Sequence, residues 1–158
     1  YVYSHFGYNL KITDMQAAVG CAQLSKVKDF VKKRRINFDY LLSGLEDLQD
    51  KIILPEPCAN SIPSWFGFMI TCKDGVNRNQ VVNYLEANGI QTRNLFAGNL
   101  IKHPCFDEMR KKKKGYRVVG KLENTDRVMN SGFWIGVYPG MEKEMLDCMI
   151  KALHEALK

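Results

Sequence analysis

The sequence predicts an α+β domain, a three-stranded sheet packed by helices and preceded by a helical segment. Apolar residues recur at helical spacing through the first 48 positions, and three later aromatic or β-branched runs are separated by stretches that read as helix. The chain shows no βαβ dinucleotide fingerprint, P-loop or nucleophile elbow. With 158 residues, 46% of them hydrophobic, the chain can bury a core of its own.

Met15, Ala18, Val19 and Ala22 stand at i, i+3, i+4 and i+7, the stripe of a helix buried on one face. Thr13 and Gln16 fit a capping box, since hydroxyl and amide can each satisfy an orphan group of the first turn, so a helix starts at about Thr13. Leu24, Val27, Phe30, Val31, Phe38, Leu41, Leu42 and Leu45 continue the period towards Leu48, with Gly44 near the end and Ser25 available as a fresh cap. This reads as a helix pair or one long bent helix.

Ile52-Ile53-Leu54 then runs into a loop marked by Pro55, Pro57 and Pro63. Trp65 to Cys72 reads as a strand whose alternation sends Phe66 to the opposite face from Trp65 and Gly67. Asn77 caps a helix carrying Val81, Val82 and Leu85, and Gly89 stops it in the left-handed conformation. Ile90 to Arg93 reads as a short strand. Residues 94–114 form a long connection containing Gly98, Pro104 and a lysine run, and loops of that length are mostly functional or mobile. Glu123 to Met129 makes a helical turn or two, Phe133 to Tyr138 a strand ended by Gly140, and Leu146, Met149, Ile150, Leu153 and Leu157 mark a last helix. The chain therefore divides into a helical segment, 1–48, and a small α+β domain, 49–158.

The formal net charge of +6 raises the question of nucleic acid. The charge is concentrated in Lys111 to Lys114, read as a solvated loop, and in Lys32, Lys33, Arg34 and Arg35, read as the outer face of a helix. Without an aromatic RNA-binding pattern or a helix-turn-helix, no nucleic-acid partner is expected. Cys21, Cys58, Cys72, Cys105 and Cys148 are scattered without ligand spacing and read as reduced thiols of a cytoplasmic protein. Only His5, His103 and His154 could assist them, so no metal site is expected in this chain. No apolar run approaches the ~18 residues that cross a bilayer, and no secretory signal is expected. The start at Tyr1, in mid-pattern and without Met, reads as a piece of something longer.

No nucleophile with its base, metal cage or cofactor pocket can be assembled from spacing alone. His5, with Tyr8 and Asn9 near it, has the polar and aromatic character to line a pocket. His103 in Lys-His-Pro could meet a ligand phosphate, although an exposed place in a basic loop is the plainer reading, and His154 reads as exposed or at a rim. Trp65, Phe66 and Phe68 read as core first and substrate platform second.

The segment Gly7-Tyr8-Asn9-Leu10-Lys11-Ile12-Thr13-Asp14-Met15-Gln16-Ala17-Ala18 resembles the Gly-Tyr-Asn-x-Arg-x-(Ser/Thr)-x-x-Gln-Ala-Ala signature of the DegT, DnrJ, EryC and StrS sugar aminotransferase family. Ser4 to Ala18, Pro63 to Phe68, Arg93 to Ile101 and Asn130 to Gly140 look most like its 3-dehydrase branch, which acts on CDP-4-keto-6-deoxy-D-glucose. The resemblance implies the small C-terminal domain of a fold type I pyridoxal-phosphate transferase. By it, residues 1–48 are crossover helices with a dimer contact, and a large cofactor domain lies upstream. It implies pyridoxamine 5'-phosphate (or pyridoxal phosphate) and a [2Fe–2S] cluster in the full-length protein, with none bound to this piece. It further implies a CDP-linked keto-sugar substrate, a homodimer, and a flavin/iron–sulfur reductase as electron donor for making 3,6-dideoxyhexoses. Neither a membrane nor a catalytic residue belongs to this chain on that reading, because the histidine replacing the usual lysine and the cluster cysteines lie upstream in the family.

Carried over position by position, the resemblance gives Asn9 and Lys11 as cofactor-binding residues reaching the phosphate across the dimer. Lys11 stands where aminotransferases carry Arg, which keeps the charge and loses the bidentate fork. His5, Tyr8, Phe66, Arg93, Phe96 and Asn99 are the substrate-binding set, with loop scaffolding as the alternative for Arg93, Phe96 and Asn99. Phe66 stands where the aminotransferase pattern has His, which favours the dehydrase over transamination. The run Arg110 to Lys114 has no counterpart in the family pattern. A pyridoxal-phosphate nucleotide-sugar aminotransferase and a non-catalytic nucleotide-binding or dimerisation module are the alternatives.

Overall fold

A computed structural model of the chain describes residues 2–5, 7–8 and 12–158. Helix α1 runs Asp14–Gln23, and Thr13 and Gln16 cap it reciprocally, as their spacing predicts. A single 3₁₀ turn at Leu24–Lys26 leads into α2, Val27–Ser43, so the two are a helix pair with a tight joint. Ser25 does not cap α2; it lies inside the joint. Burial begins only halfway along α2, where Asn37, Phe38 and Leu41 turn inward.

Strand β1 (Ile52–Ile53), β2 (Gly67–Cys72), β3 (Thr92–Arg93) and β4 (Gly132–Gly136) form one antiparallel sheet in the order β1-β2-β4-β3. The sheet thus has four strands where three were expected. The addition is the two-residue edge β1, whose Ile52 and Ile53 pair with Cys72 and Thr71. Helix α3 (Arg78–Ala87) starts at Asn77, whose side chain accepts from the amides of Asn79 and Gln80, and stops at Gly89, whose φ is +77°. Helices α4 (Asp107–Lys112), α5 (Glu123–Ser131) and α6 (Lys143–Ala156) complete the chain. Helix α4 corrects the loop reading of the lysine run. Its first turn carries Asp107 and Glu108 against the helix dipole, and Glu108 sits 3.2 Å from the Lys111 ammonium, so the basic run is helical as far as Lys112.

Period-two alternation gives the sheet two unlike faces. Phe68, Ile70 and Cys72 of β2 and Phe133 and Ile135 of β4 point to one side, where α2, α3 and α6 cover them with Leu41, Val81, Leu85, Leu146 and Leu153, joined by Leu45 just after α2. Each such side chain buried fully stabilises by about 1.5–3 kcal/mol before the cost of ordering it. The other side carries Gly67, Met69, Trp134 and Arg93, and α5 packs over part of it. Gly132 permits that packing: a Cβ there would stand 2.6 Å from the Val128 carbonyl oxygen and 2.7 Å from Met69 Cε.

Two further expectations are corrected. The stripe of α1 is not buried: Met15 is 81% and Val19 62% exposed, because none of the described residues lies over it. Arg34 and Arg35 are not on a solvated helix face. Arg35 donates to the carbonyls of Pro63 (3.0 Å) and Ile62 (2.7 Å) and Arg34 to Ser64 Oγ (3.3 Å), strapping the proline loop to α2.

Candidate functional site

The face of the sheet that only α5 partly covers collects the side chains with chemistry to offer. Register places Met69, Trp134 and Arg93 side by side across β2, β4 and β3. Phe66 bends out of line just before β2, so strict alternation with Phe68 fails: Phe68 enters the core, and Phe66 stays 60% exposed and meets the Trp134 ring edge-on at 5.3 Å. Trp65 goes to the core instead, 5.0 Å from Phe38. A Cβ at Gly67 would press on the Trp134 ring at 2.7 Å, so that glycine lets the indole lie flat on the sheet.

Arg93 is held by the strand beside it. Thr92 is buried, and both its amide and hydroxyl donate to Glu86 Oε1 at 2.6 and 2.8 Å, which lowers the Glu86 pKa and pins β3 to the end of α3. Arg93 and Trp134 line a groove of about 660 Å³ with Gly136, Tyr138, Met145 and Cys148.

After Arg93 the chain makes a tight turn. The Phe96 amide donates to the Asn94 carbonyl at 2.7 Å, and Phe96 adopts φ +44°, a left-handed conformation unfavourable for a branchless aromatic. Its ring is thereby thrown outward, 61% exposed, between cavities of about 540 and 220 Å³. Non-glycine residues in this region persist where the surroundings fix them, and they cluster at functional sites. Here His103 supplies part of the fixing. Against the expectation of an exposed histidine it is buried, accepting from the Tyr3 amide at Nδ1 (2.9 Å) and donating from Nε2 to the Ala97 carbonyl (2.6 Å). This bond pattern assigns the neutral Nε2–H tautomer. The Tyr3 carbonyl accepts from the Cys105 amide at 2.9 Å, so the N-terminal segment lies against the turn.

Asn99 is 2% exposed, and its amide donates to Asp126 Oδ1 at 2.8 Å. Lys102 pairs with the same oxygen at 2.7 Å, and these two donors lower the Asp126 pKa. His5 is exposed and bonded to Ser4 Oγ (2.8 Å), and Tyr8 is exposed. Asn9 and Lys11 lie outside the described residues. The structure therefore brings Phe66 and Arg93 together around Trp134, sets Phe96 on the adjoining turn, and uses Asn99 within that turn's framework. Trp134 and Asp126 were not singled out in the sequence; each meets its partner through register or tertiary contact, which leaves no local spacing to find.

The sequence profile of the DegT/DnrJ/EryC1/StrS aminotransferase family matches residues 1–154. The chain belongs to this family. Among its relatives, the lipopolysaccharide biosynthesis protein RfbH of Salmonella typhimurium is 54% identical over 157 residues, covering 98% of this chain and 35% of that protein. The dTDP-4-dehydro-2,6-dideoxy-D-glucose 3-dehydratase of Saccharopolyspora spinosa is 44% identical, covering 98% and 33%. The solved E. coli GDP-4-keto-6-deoxy-D-mannose-3-dehydratase with bound hydrated PLP superposes with a TM-score of 0.75 at 30% identity, covering 96% of this chain and 37% of that one. The fold is that of pyridoxal-phosphate aminotransferase-type enzymes, and the chain spans about a third of the length of the relatives it matches.

Asn9 and Lys11, the residues that would meet the phosphate of this cofactor, lie outside the described residues. No lysine lines the three grooves around Arg93, Phe96 and Trp134. For an iron–sulfur cluster, no group of three or more His, Cys, Asp or Glu is gathered among the described residues.

Proposed function

We propose that this chain is the small domain of a nucleotide-sugar 3-dehydrase that removes the C3 hydroxyl of CDP-4-keto-6-deoxy-D-glucose during 3,6-dideoxyhexose and O-antigen synthesis. The observation that carries the reading is the convergence of Phe66 and Arg93 around Trp134, beside the outward Phe96, in a family member whose relatives named above include two 3-dehydratases. A phenyl ring at position 66 can neither take nor give a proton, so this position contributes shape where a histidine would contribute acid–base chemistry. Arg93 offers a forked guanidinium suited to the diphosphate of a nucleotide sugar. Phe96 provides an exposed ring for stacking, and Asn99, engaged with Asp126, holds the turn in place. His5 and Tyr8 add polar contacts from the N-terminal segment.

Asn9 and Lys11 donate to the phosphate of the cofactor across a homodimer, whose contact includes the uncovered stripe of α1. Bound in the longer polypeptide, pyridoxamine phosphate would supply the electron sink for loss of the hydroxyl, and a [2Fe–2S] centre with a flavin/iron–sulfur reductase would supply the electrons. The reaction takes place in the cytoplasm.

Substrate choice tests this reading. The whole protein, loaded with pyridoxamine phosphate, is offered CDP-, GDP- and dTDP-linked 4-keto-6-deoxy sugars, and kcat/KM for each is compared. The CDP sugar is expected to be preferred; a clear preference for the GDP or dTDP sugar overturns the assignment of the nucleotide.

A further inference from the structure

We propose that Arg78 is a positioning residue for the substrate turn, holding Arg93 and Phe96 in place without itself touching substrate; this rests on the reading that the turn meets a nucleotide sugar. Arg78 is the first residue of α3, and its half-buried side chain reaches back under the turn. Its Nη1 donates both to Asn94 Oδ1 and to the Gly132 carbonyl, the latter at 3.2 Å. One nitrogen thus joins the start of α3, the residue next to Arg93, and the junction of α5 with β4.

That junction is where the turn needs support. Phe96 (φ +44°) and Gly98 (φ +62°) are both left-handed, and Gly98 lies so close to α5 that a Cβ on it would stand 2.6 Å from Met129 Cγ. The far end of the turn is held by Asn99 on Asp126 and by His103 on Ala97. Arg78 holds the near end, and it lines the cavity of about 220 Å³ together with Asn94, Phe96, Gly98, Met129 and Asn130. Its Nε is buried with no hydrogen-bond partner among the described residues. An unpaired buried donor is destabilising, so placement of the fork, more than stability, is what this arginine provides.

The test uses the whole protein with pyridoxamine phosphate and CDP-4-keto-6-deoxy-D-glucose. Arg78→Gln is expected to raise KM about tenfold while kcat changes less than about threefold, the pattern of lost uniform binding. Asn94→Ala should match it, the double variant should be no worse than either single one, and Asn94→Asp, which keeps an acceptor for Arg78, should retain the wild-type KM. A merely structural arginine would lower the folded, active fraction and leave KM alone, and that outcome overturns the proposal. Hydrogen exchange gives a readout independent of turnover: amides 95–99 should exchange about tenfold faster in Arg78→Gln while those of α2 do not change. Unchanged protection of the turn sinks the inference even if the enzyme is active. Faster exchange in a protein that ignores nucleotide sugars would uphold the clamp and reject the substrate reading.

Discussion

Phe96 shows how a single residue can be set against its own preference. A left-handed non-glycine residue costs on the order of 1–3 kcal/mol, and the exposed ring regains little by burial. Phe96→Gly should therefore leave unfolding free energy unchanged or raise it by up to about 1 kcal/mol in urea titration, and should weaken substrate binding in the whole protein. A loss of more than about 1 kcal/mol would mean that the ring serves the fold. His154 makes the second residue-scale case. Its Nδ1 meets the Ile150 carbonyl at 2.9 Å and its Nε2 meets Asp47 at 3.0 Å, and these partners, the carbonyl first, raise its pKa. With the folded pKa above the unfolded value of about 6.5, the stabilisation is complete below that value and fades as pH rises through the folded pKa. Melting temperature should drop between about pH 6 and pH 9 in the wild type by more than in Asp47→Asn, and parallel curves would refute the coupling. Arg93 and Phe66 were legible because a motif named them; Trp134 and Arg78 were not, since strand register and a reach across 54 residues leave no trace in local spacing.

At the scale of elements, most capping signals survived, although Ser25 caps nothing, and non-local features went unread. The caps Thr13 and Asn77 and the stop at Gly89 depend on neighbours within four residues, and all three form as read. Strand β1 is two residues long and exists only through its pairing with β2, so periodicity could not reveal it. The stripe of α1 was legible as amphipathic but not as uncovered, because periodicity reports a face and not its partner. The proposed dimer contact would cover this exposed apolar surface. In the whole protein, Met15→Ser with Val19→Ser should raise the dimer dissociation constant at least about tenfold by analytical ultracentrifugation; unchanged association would remove α1 from the contact. The α5–β4 junction is closely packed. Gly132→Ala, meeting a backbone oxygen that cannot swing aside, should destabilise by about 2 kcal/mol in urea unfolding. A change under about 0.5 kcal/mol would show that α5 can shift away.

On the scale of the whole molecule, the chain is a sheet with one face sealed by helices and the other left with Phe66, Trp134 and Arg93 beside a strained turn. Composition and periodicity read correctly as an α+β domain, and the family signature around Gly7–Ala18 placed it in the DegT/DnrJ/EryC1/StrS aminotransferase family. The chemistry was not legible in composition, since Phe66, Trp134 and Arg93 meet through strand register and ring contact and not through local spacing. What distinguishes the two enzyme readings is the fate of the sugar carbons. The most direct measurement is mass spectrometry and NMR of the product formed by the whole protein with pyridoxamine phosphate, an electron donor and CDP-4-keto-6-deoxy-D-glucose. The account predicts a sugar that has lost the C3 hydroxyl and gained no nitrogen; a product that keeps that hydroxyl and carries an amino group at C4 would contradict it.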